Sequence, residues 1–328
     1  MAASRVLVVQ TAFLGDVAFT SALVESLAAS FSEVDVCVAP RGRDVAEAMP
    51  RAARVHVFDK RGTDGGLRGL RRAAESLRER RFDVAVLAHR SIRSAVLARL
   101  AGIPRRVGFL LAPGAPLYTQ WVSARARTYT QREAALAAAL GAEPRPMRLV
   151  PHARWIEAAE ERLGGAAGPF AALCIGSEWE TKIWPPEHFA ALADRLAERG
   201  LTPILLGGPR EKPLAAAVQA RAGAQCIDTT GNPVGEALAL IARCRVCVGG
   251  DSGLVHAARA LSVPTVAMFG PTAPAAHQLG PRQRAVSLSL GCSPCSVHGQ
   301  RRCPLGHHRC LRELSAERVL AECEAVLA

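Results

Sequence analysis

Residues 246–274, VCVGGDSGLVHAARALSVPTVAMFGPTAP, constrain the fold more than any other stretch of the chain. An apolar run, Val246–Val248, enters a glycine pair, Gly249 and Gly250. Asp251, Ser252 and Gly253 then open a helical pattern that carries His256. A second apolar run, Val263–Phe269, ends in Gly270-Pro271-Thr272. This is a strand–turn–helix–strand unit with its polar residues at the carboxyl end of the strand, where open α/β sheets bind ligands. The first N–H groups of a helix have no partner within it, and the helix dipole makes that end positive. The backbone at Ser252, Gly253 and Leu254 is therefore suited to an anion such as a diphosphate.

The same alternation of apolar runs and amphipathic stretches fills the chain. In the first half the expected strands are Val6–Gln10, Val34–Ala39, Val55–Phe58 and Phe82–Ala88, with a short one at Val107–Phe109. Helical patterns lie near 16–29, 66–80, 91–101 and 129–140. The proline-rich stretch 141–152, GAEPRPMRLVPH, breaks the periodicity and reads as a linker. The pattern then restarts, with strands at 170–175, 201–206, 226–228, 245–249 and 263–269 and helices between them. Parallel strands with crossover helices follow from such a pattern. We expect two doubly wound α/β domains, 1–145 and 152–328, facing a cleft. A final helix near Ser315–Leu327 closes the second.

Length is consistent with two domains, at 328 residues. No apolar run approaches the roughly 18 residues of a membrane span. The opening MAASRVLVVQ lacks the ordered parts of a signal peptide, so the expected location is cytoplasmic. Charge is uneven. Residues 1–150 hold 23 Lys and Arg against 13 Asp and Glu, whereas 151–328 hold 18 against 16. An excess confined to one half suggests that this half meets a polyanion, or simply carries a solvated arginine-rich surface.

Four loops gather polar residues at expected strand ends. Thr11–Asp16 offers Gly15 for close approach and Asp16 at a helix start, where an N-cap is the plain alternative. Gly176–Pro185 holds Thr181 and Lys182 between two tryptophans, and a lysine there is a point charge suited to phosphate. Gly207–Glu211 ends in a carboxylate, Glu211, that either accepts ribose hydroxyls or opens a helix. The fourth is Gly249–Gly253 with His256, which alone reads as a packed helix residue. The Walker motif GxxxxGK[ST] is absent, as are a post-strand GxGxxG and any DxD. Charge on a departing diphosphate would then fall to Lys182 and the helix N-terminus.

Nine of the ten cysteines divide into two groups. Cys37, Cys174, Cys226, Cys244 and Cys247 sit in apolar patterns and read as small buried hydrophobes. Cys292, Cys295, Cys303 and Cys310 cluster in the tail 292–310 with three histidines. They either hold a structural zinc or form a metal-free thiol cluster, since Cys-x6-Cys is not the usual second knuckle.

The loops FLGD (13–16), TKIWPPEHFAAL (181–192), GGPRE (207–211) and GGDSGLVHAARALSVPTVAMFGPT (249–272), in this order, resemble glycosyltransferase family 9, the ADP-heptose:lipopolysaccharide heptosyltransferases. The tail CSPC…CPLGHHRC is similar to the heptosyltransferase II branch. The resemblance implies a GT-B fold with the donor in the second half and the acceptor in the first. It implies inverting, metal-independent transfer of heptose from ADP-heptose, with no cofactor, to the inner core of lipopolysaccharide (Kdo–lipid A bearing heptose). The acceptor would lie at the inner membrane face.

Under that resemblance Asp16 is the general base, and Lys182 with the backbone of Ser252, Gly253 and Leu254 stabilises the leaving diphosphate. Thr181 adds a hydroxyl, and Asp251 and His256 shape the donor site. Glu211 meets the ribose, and the segment at Asn232 meets the adenine. Acceptor phosphates and carboxylates are expected on some of Arg41, Arg43, Arg90, Arg93, Arg105 and Arg106. The alternatives are another GT-B transferase with a different donor or acceptor, such as a heptosyltransferase I or III type, or a basic protein for nucleic acid or anionic lipid. Aromatic residues at 5% and no interleaved basic–aromatic surface argue against nucleic acid.

Overall fold

The computed structural model describes residues 4–123 and 128–328, and the chain divides into two compact units, Met1–Val150 and Pro151–Ala328. The first unit runs β1 (Arg5–Gln10), α1 (Leu14–Leu27), β2 (Glu33–Val38), α2 (Arg43–Glu47), β3 (Arg54–Val57), α3 (Gly66–Arg78), β4 (Val84–Leu87), α4 (Ile92–Leu100), β5 (Arg105–Phe109), β6 (Gln120–Val122) and α5 (Tyr129–Ala138). The second runs α6 (Ala153–Leu163), β7 (Phe170–Cys174), α7 (Pro186–Ala197), β8 (Thr202–Leu206), α8 (Lys212–Gln219), β9 (Ile227–Asp228), α9 (Val234–Ala242), β10 (Cys244–Gly250), α10 (Gly253–Ala260), β11 (Thr265–Phe269), β12 (Gln283–Ser287), α11 (Arg309–Arg312) and α12 (Ala316–Leu327).

Each unit is a six-stranded parallel sheet. The orders are β3-β2-β1-β4-β5-β6 and β12-β11-β10-β7-β8-β9. Renumbered from its own first strand, the second repeats the first, and both follow the doubly wound 3-2-1-4-5-6 arrangement. Helices cover both faces of such a sheet, so its central strands read as continuous apolar runs. Val6, Leu7, Val8 and Val9 of β1 are fully buried, as are Ala171, Ala172 and Leu173 of β7. On α3, Leu70, Ala74 and Leu77 turn inward while Arg68, Arg71 and Arg72 face solvent. The expected solvated arginine face is therefore present. The five cysteines of the apolar patterns are buried, and burial pushes the Cys37 thiol up to about 12.

The strand order reverses between β1 and β4 and between β7 and β10. These switch points, at the carboxyl ends of the strands, are where the fold leaves a crevice.

Three features differ from the sequence expectation. The segment read as a linker is held to the first unit as far as Val150. Arg145 N donates to Ser26 Oγ (2.9 Å), Arg148 N to Ser21 Oγ (3.2 Å) and Val150 N to Ala48 O (2.8 Å). Pro144 and Pro146 keep this strap extended, and Leu149 is buried beneath it. Two edge strands, β6 and β12, and the short α2 carry too little apolar patterning to have been expected.

Candidate active site

At the switch point of the second unit, the loop after β7 meets the turn after β10. Residues 180–182 form a single 3-10 turn, and Lys182 extends from it to Asp251, with Nζ 2.9 Å from Oδ2. Asp251 is a hub. Thr272 Oγ1 donates to Oδ2 at 2.8 Å, His256 Nε2 lies 2.8 Å from Oδ1, and His277 Nε2 lies 3.4 Å from the same oxygen. The two imidazoles stack with centroids 4.7 Å apart. Burial alone would raise the Asp251 pKa. The His256 hydrogen bond and the Lys182 charge overcome it and hold the carboxyl well below its ordinary range. Burial lowers both histidines, His277 to about 3, so each is neutral at pH 7.

The glycine pair makes this meeting possible. A Cβ on Gly250 would run into the carbonyl oxygen of Lys182, and one on Gly249 would lie 2.7 Å from Cys174 O. Beside the hub, Ser252 caps α10 from an extended conformation. Its Oγ is buried without a hydrogen-bond partner among the described residues, as is Asn232 Nδ2 before α9. Buried polar atoms are nearly always satisfied. Both orphans lie after the carboxyl ends of strands of one sheet, β10 and β9, and keep hydrogen-bonding capacity there.

Asp251, His256 and His277 are the one metal-ligand-like trio among the described residues, with ligand atoms within 4.8 Å of one another. Their surroundings do not fit a divalent cation. The Lys182 ammonium already holds Asp251 Oδ2, with Thr272 as its second partner, and a like charge at that range disfavours a second cation.

Two donor-site expectations change. The Thr181 hydroxyl is spent, donating to Gln300 O and accepting from Gln300 N, both at 2.8 Å. Glu211 Oε2 accepts from Gly208 N at 2.7 Å, so one oxygen serves the turn of its own loop.

The cysteine tail has a role the spacing did not reveal. It wraps the site loops. His308 Nε2 donates to Thr181 O (2.8 Å), and Cys295 N and Ser296 N both donate to Pro271 O (2.9 Å). Trp184, fully buried, donates its indole N–H to Leu314 O (2.9 Å). Gly299, at φ +98°, lies where a side chain would strike Trp179 and Lys182 Cδ. The four tail thiols are free and bear on one another electrostatically, although no three of them converge within 4.8 Å.

In the first unit, Asp16 sits on the first turn of α1, where the helix dipole favours a carboxylate. Phe13, not Asp16, is the N-cap of α1, and Asp16 stands at the third helical position with its Oδ2 accepting from Phe13 N at 3.2 Å, a structural bond alongside any other role. Around the carboxyl ends of β1 to β4 lies a cluster of cations. Lys60 Nζ donates to Thr11 O (3.2 Å) and to Thr11 Oγ1 (3.4 Å). Burial lowers its pKa, and the charges of Arg61, Arg41 and Arg93 lower it further. Arg41 lies over the Phe13 ring and Arg93 over Phe58, with Arg93 Nη1 donating to Lys60 O at 3.0 Å. His89, held by Thr11 Oγ1 at 2.8 Å, is driven to about 4 by burial, with the Lys60 charge adding to it. Thr11, Lys60 and His89 were missed, although each directly follows or nearly follows a strand.

Not all the expected arginines join this group. Arg41, Arg90 and Arg93 follow strands at their carboxyl ends. Arg43 is taken by Glu47 one turn on (2.7 Å). Arg105 and Arg106 open β5, at the opposite end of the strand, and are bonded there to Gln120 Oε1 and to the carbonyls of Ile103 and Leu117.

Two Rossmann-type units with a charged hub at a glycine turn define a GT-B glycosyltransferase scaffold, and the comparisons agree. The family model for glycosyltransferase family 9 (heptosyltransferase) matches residues 70–305, and the chain belongs to that family. Lipopolysaccharide heptosyltransferase 2 of Escherichia coli K12 is 27% identical, with 98% of each chain covered. Among solved structures, the E. coli ADP-heptose lps heptosyltransferase II superposes with a TM-score of 0.81 at 26% identity, over 98% of both chains. A glycosyltransferase family 9 protein from Veillonella parvula shares the fold at TM-score 0.87 and 22% identity, covering 100% of this chain and 98% of that one.

Proposed function

We propose that this protein transfers heptose from ADP-heptose to the inner core of lipopolysaccharide, by an inverting and metal-independent reaction of the heptosyltransferase II type. The observation that carries the donor assignment is the Lys182–Asp251 hub beside the orphaned Ser252 Oγ, with Asn232 Nδ2, also orphaned, after β9 of the same sheet. A diphosphate offers oxygens to Lys182, Ser252 and the backbone N–H groups of Gly253 and Leu254. Asn232 has an amide donor for a purine ring, and Glu211 keeps a carboxylate at the ribose side. Asp251 and His256 shape the sugar pocket. Thr181 acts through the tail rather than on the donor.

Asp16 is assigned as the base that takes the proton from the acceptor hydroxyl as its oxygen attacks the anomeric carbon. Lys60, Arg41, Arg90 and Arg93 are assigned to acceptor phosphates and carboxylates. The charges of Arg41, Arg61 and Arg93 all bear on Lys60, and such a concentration of positive charge favours an anionic acceptor. Among the described residues no helix is long and apolar enough to cross a membrane. Ile92, Leu110, Leu111 and Trp121 are exposed near the same strand ends, with Arg90 bonded to Leu111 O. We assign this lip to the surface of an anionic membrane that presents the lipid acceptor.

The test is thermal stabilisation by ADP, UDP, GDP and CDP with chelator present. Binding to the folded state alone stabilises by about 2.7 kcal/mol at a hundredfold excess over Kd. A selective ADP shift, followed by chelator-resistant turnover of ADP-heptose on heptose-deficient lipopolysaccharide, is the expected result. Preference for another nucleotide would overturn the donor.

A further inference from the structure

Glu133 lies on α5 and is only 6% exposed. Its Oε2 has no hydrogen-bond partner among the described residues, and its Oε1 lies 3.5 Å from Thr20 Oγ1 on α1. Thr20 is already committed. Its hydroxyl donates to Asp16 O at 2.9 Å, and it accepts from Gln10 Nε2 at 3.2 Å. Gln10 is oriented in turn by Ala12 N, which donates to Oε1 at 3.3 Å. A threonine hydroxyl has one hydrogen and two lone pairs. With the hydrogen on Asp16 O and one lone pair on Gln10, what remains for Glu133 is a lone pair. Thr20 Oγ1 is placed to donate to Glu133 Oε1 at 3.5 Å, but its one hydrogen has a closer acceptor in Asp16 O at 2.9 Å, and a neutral Glu133 removes the competition by supplying the hydrogen itself.

We propose that Glu133 is a positioning residue for Asp16: as a neutral carboxylic acid it donates to Thr20, which with Gln10 ties both ends of the 11–16 loop together and leaves Asp16 the one charged carboxylate of the pair. Burial supports this state, pushing Glu133 up to about 8, with the Asp16 charge adding to the shift and a hydrogen bond from Thr20 working against it. Among the described residues the charged groups that bear on it are Asp16 from α1 and Arg132 from its own helix, the latter in opposition. When Glu133 ionises, Thr20 loses its donor and a second negative charge stands beside Asp16. The inference rests on the reading of Asp16 as the base.

The experiment measures kcat/KM from pH 6 to 9.5, with ADP-heptose and heptose-deficient lipopolysaccharide, for wild type, Glu133→Gln, Glu133→Ala and Asp16→Asn. Thermal stability is followed over pH 5–9 for the same proteins. In wild type, kcat/KM falls with a midpoint near 8. Glu133→Ala loses about tenfold at pH 7, and Glu133→Gln, neutral and of the same shape, recovers most of that loss. The glutamine also moves the alkaline fall up by about one pH unit or more. Relative to Glu133→Gln, wild type loses stability as pH rises from 5 to 8, because only the folded state holds the proton there. An alkaline limb in Glu133→Gln that matches wild type, or a folded Glu133→Gln that does not turn over, overturns the proposal. A flat stability difference also overturns it, whatever the kinetics. Full turnover by Asp16→Asn instead overturns the base assignment, and the inference falls with it.

Discussion

Lys182 Nζ stands 2.9 Å from Asp251 Oδ2, and the two belong to loops that follow different strands of one sheet, β7 and β10. With 12% and 8% of their side chains exposed, neither charge is well hydrated, so each depends on the other. Removing one partner of a buried pair leaves an uncompensated charge, at about 3–5 kcal/mol when burial is complete. Lys182→Ala should therefore lower both stability and turnover. The loss of diphosphate stabilisation should reduce kcat by about 10²–10³-fold, as for a removed oxyanion donor. Steady-state kinetics beside a melting curve would check it. Unchanged kcat in a folded variant would remove Lys182 from the reaction.

Asp16 combines a structural bond to Phe13 N with an assigned chemical role, and one substitution separates them. Asparagine can still accept from Phe13 N but cannot take a proton. Asp16→Asn should keep its melting temperature and ADP binding while losing about 10²–10⁴-fold in kcat, the usual range for a general base. Loss of stability with turnover intact would leave Asp16 with its structural bond alone.

The architecture was legible because central parallel strands announce themselves. The runs at 6–10, 84–88, 170–175 and 246–248 are apolar on both faces and have no other comfortable place. The hub was legible in part. Asp251, His256 and Lys182 were named from their loops, whereas His277 lies in an irregular stretch after β11 with no periodicity to place it. Lys60 was hidden because KRG after a short strand reads as an ordinary solvated turn. Arg105 and Arg106 misled for the opposite reason. They stand next to a strand, and only the direction of β5 tells which end they occupy. Composition drew attention to the tail's cysteines, as a zinc site or a metal-free thiol cluster, while its bonds to the site loops come from His308, Gln300 and main-chain groups that composition does not announce.

That tail should be tested by its hold on Thr181. Thr181→Val is close in shape but loses both hydroxyl bonds to Gln300. At about 1 kcal/mol each, these bonds brace the turn that carries Lys182. The variant should be cleaved faster by protease within 292–310 and should lose turnover, while chelator leaves both unchanged. Equal protease resistance would show that the tail is held by its remaining contacts.

The exposed lip makes a different kind of prediction. Leu111 is 77% exposed and Leu110 is 53% exposed, on a turn next to Arg90. Each leucine contributes about 1.5–3 kcal/mol when transferred from water to an apolar medium. Leu110→Ser with Leu111→Ser should weaken sedimentation with phosphatidylglycerol vesicles while leaving ADP binding intact. Neutral phosphatidylcholine vesicles should bind both proteins poorly. Equal binding of the pair to anionic vesicles would remove the lip from the membrane contact.

Acid should destabilise the protein well before its carboxylates titrate. Burial drives His89 to about 4 and His277 to about 3, against an ordinary value of 6.5. Between 6.5 and those values the unfolded chain binds the protons and the folded chain does not, so stability rises with pH through that window and is complete above 6.5. Lowering the pH from 7 to 5 should therefore lower Tm, by about 2–4 °C for each kcal/mol lost in a domain of this size. His89→Gln keeps a neutral group that can still bond Thr11 Oγ1, so its melting temperature should fall less over the same range. If His89→Gln and wild type lose the same number of degrees between pH 7 and 5, His89 is not held neutral in the folded state.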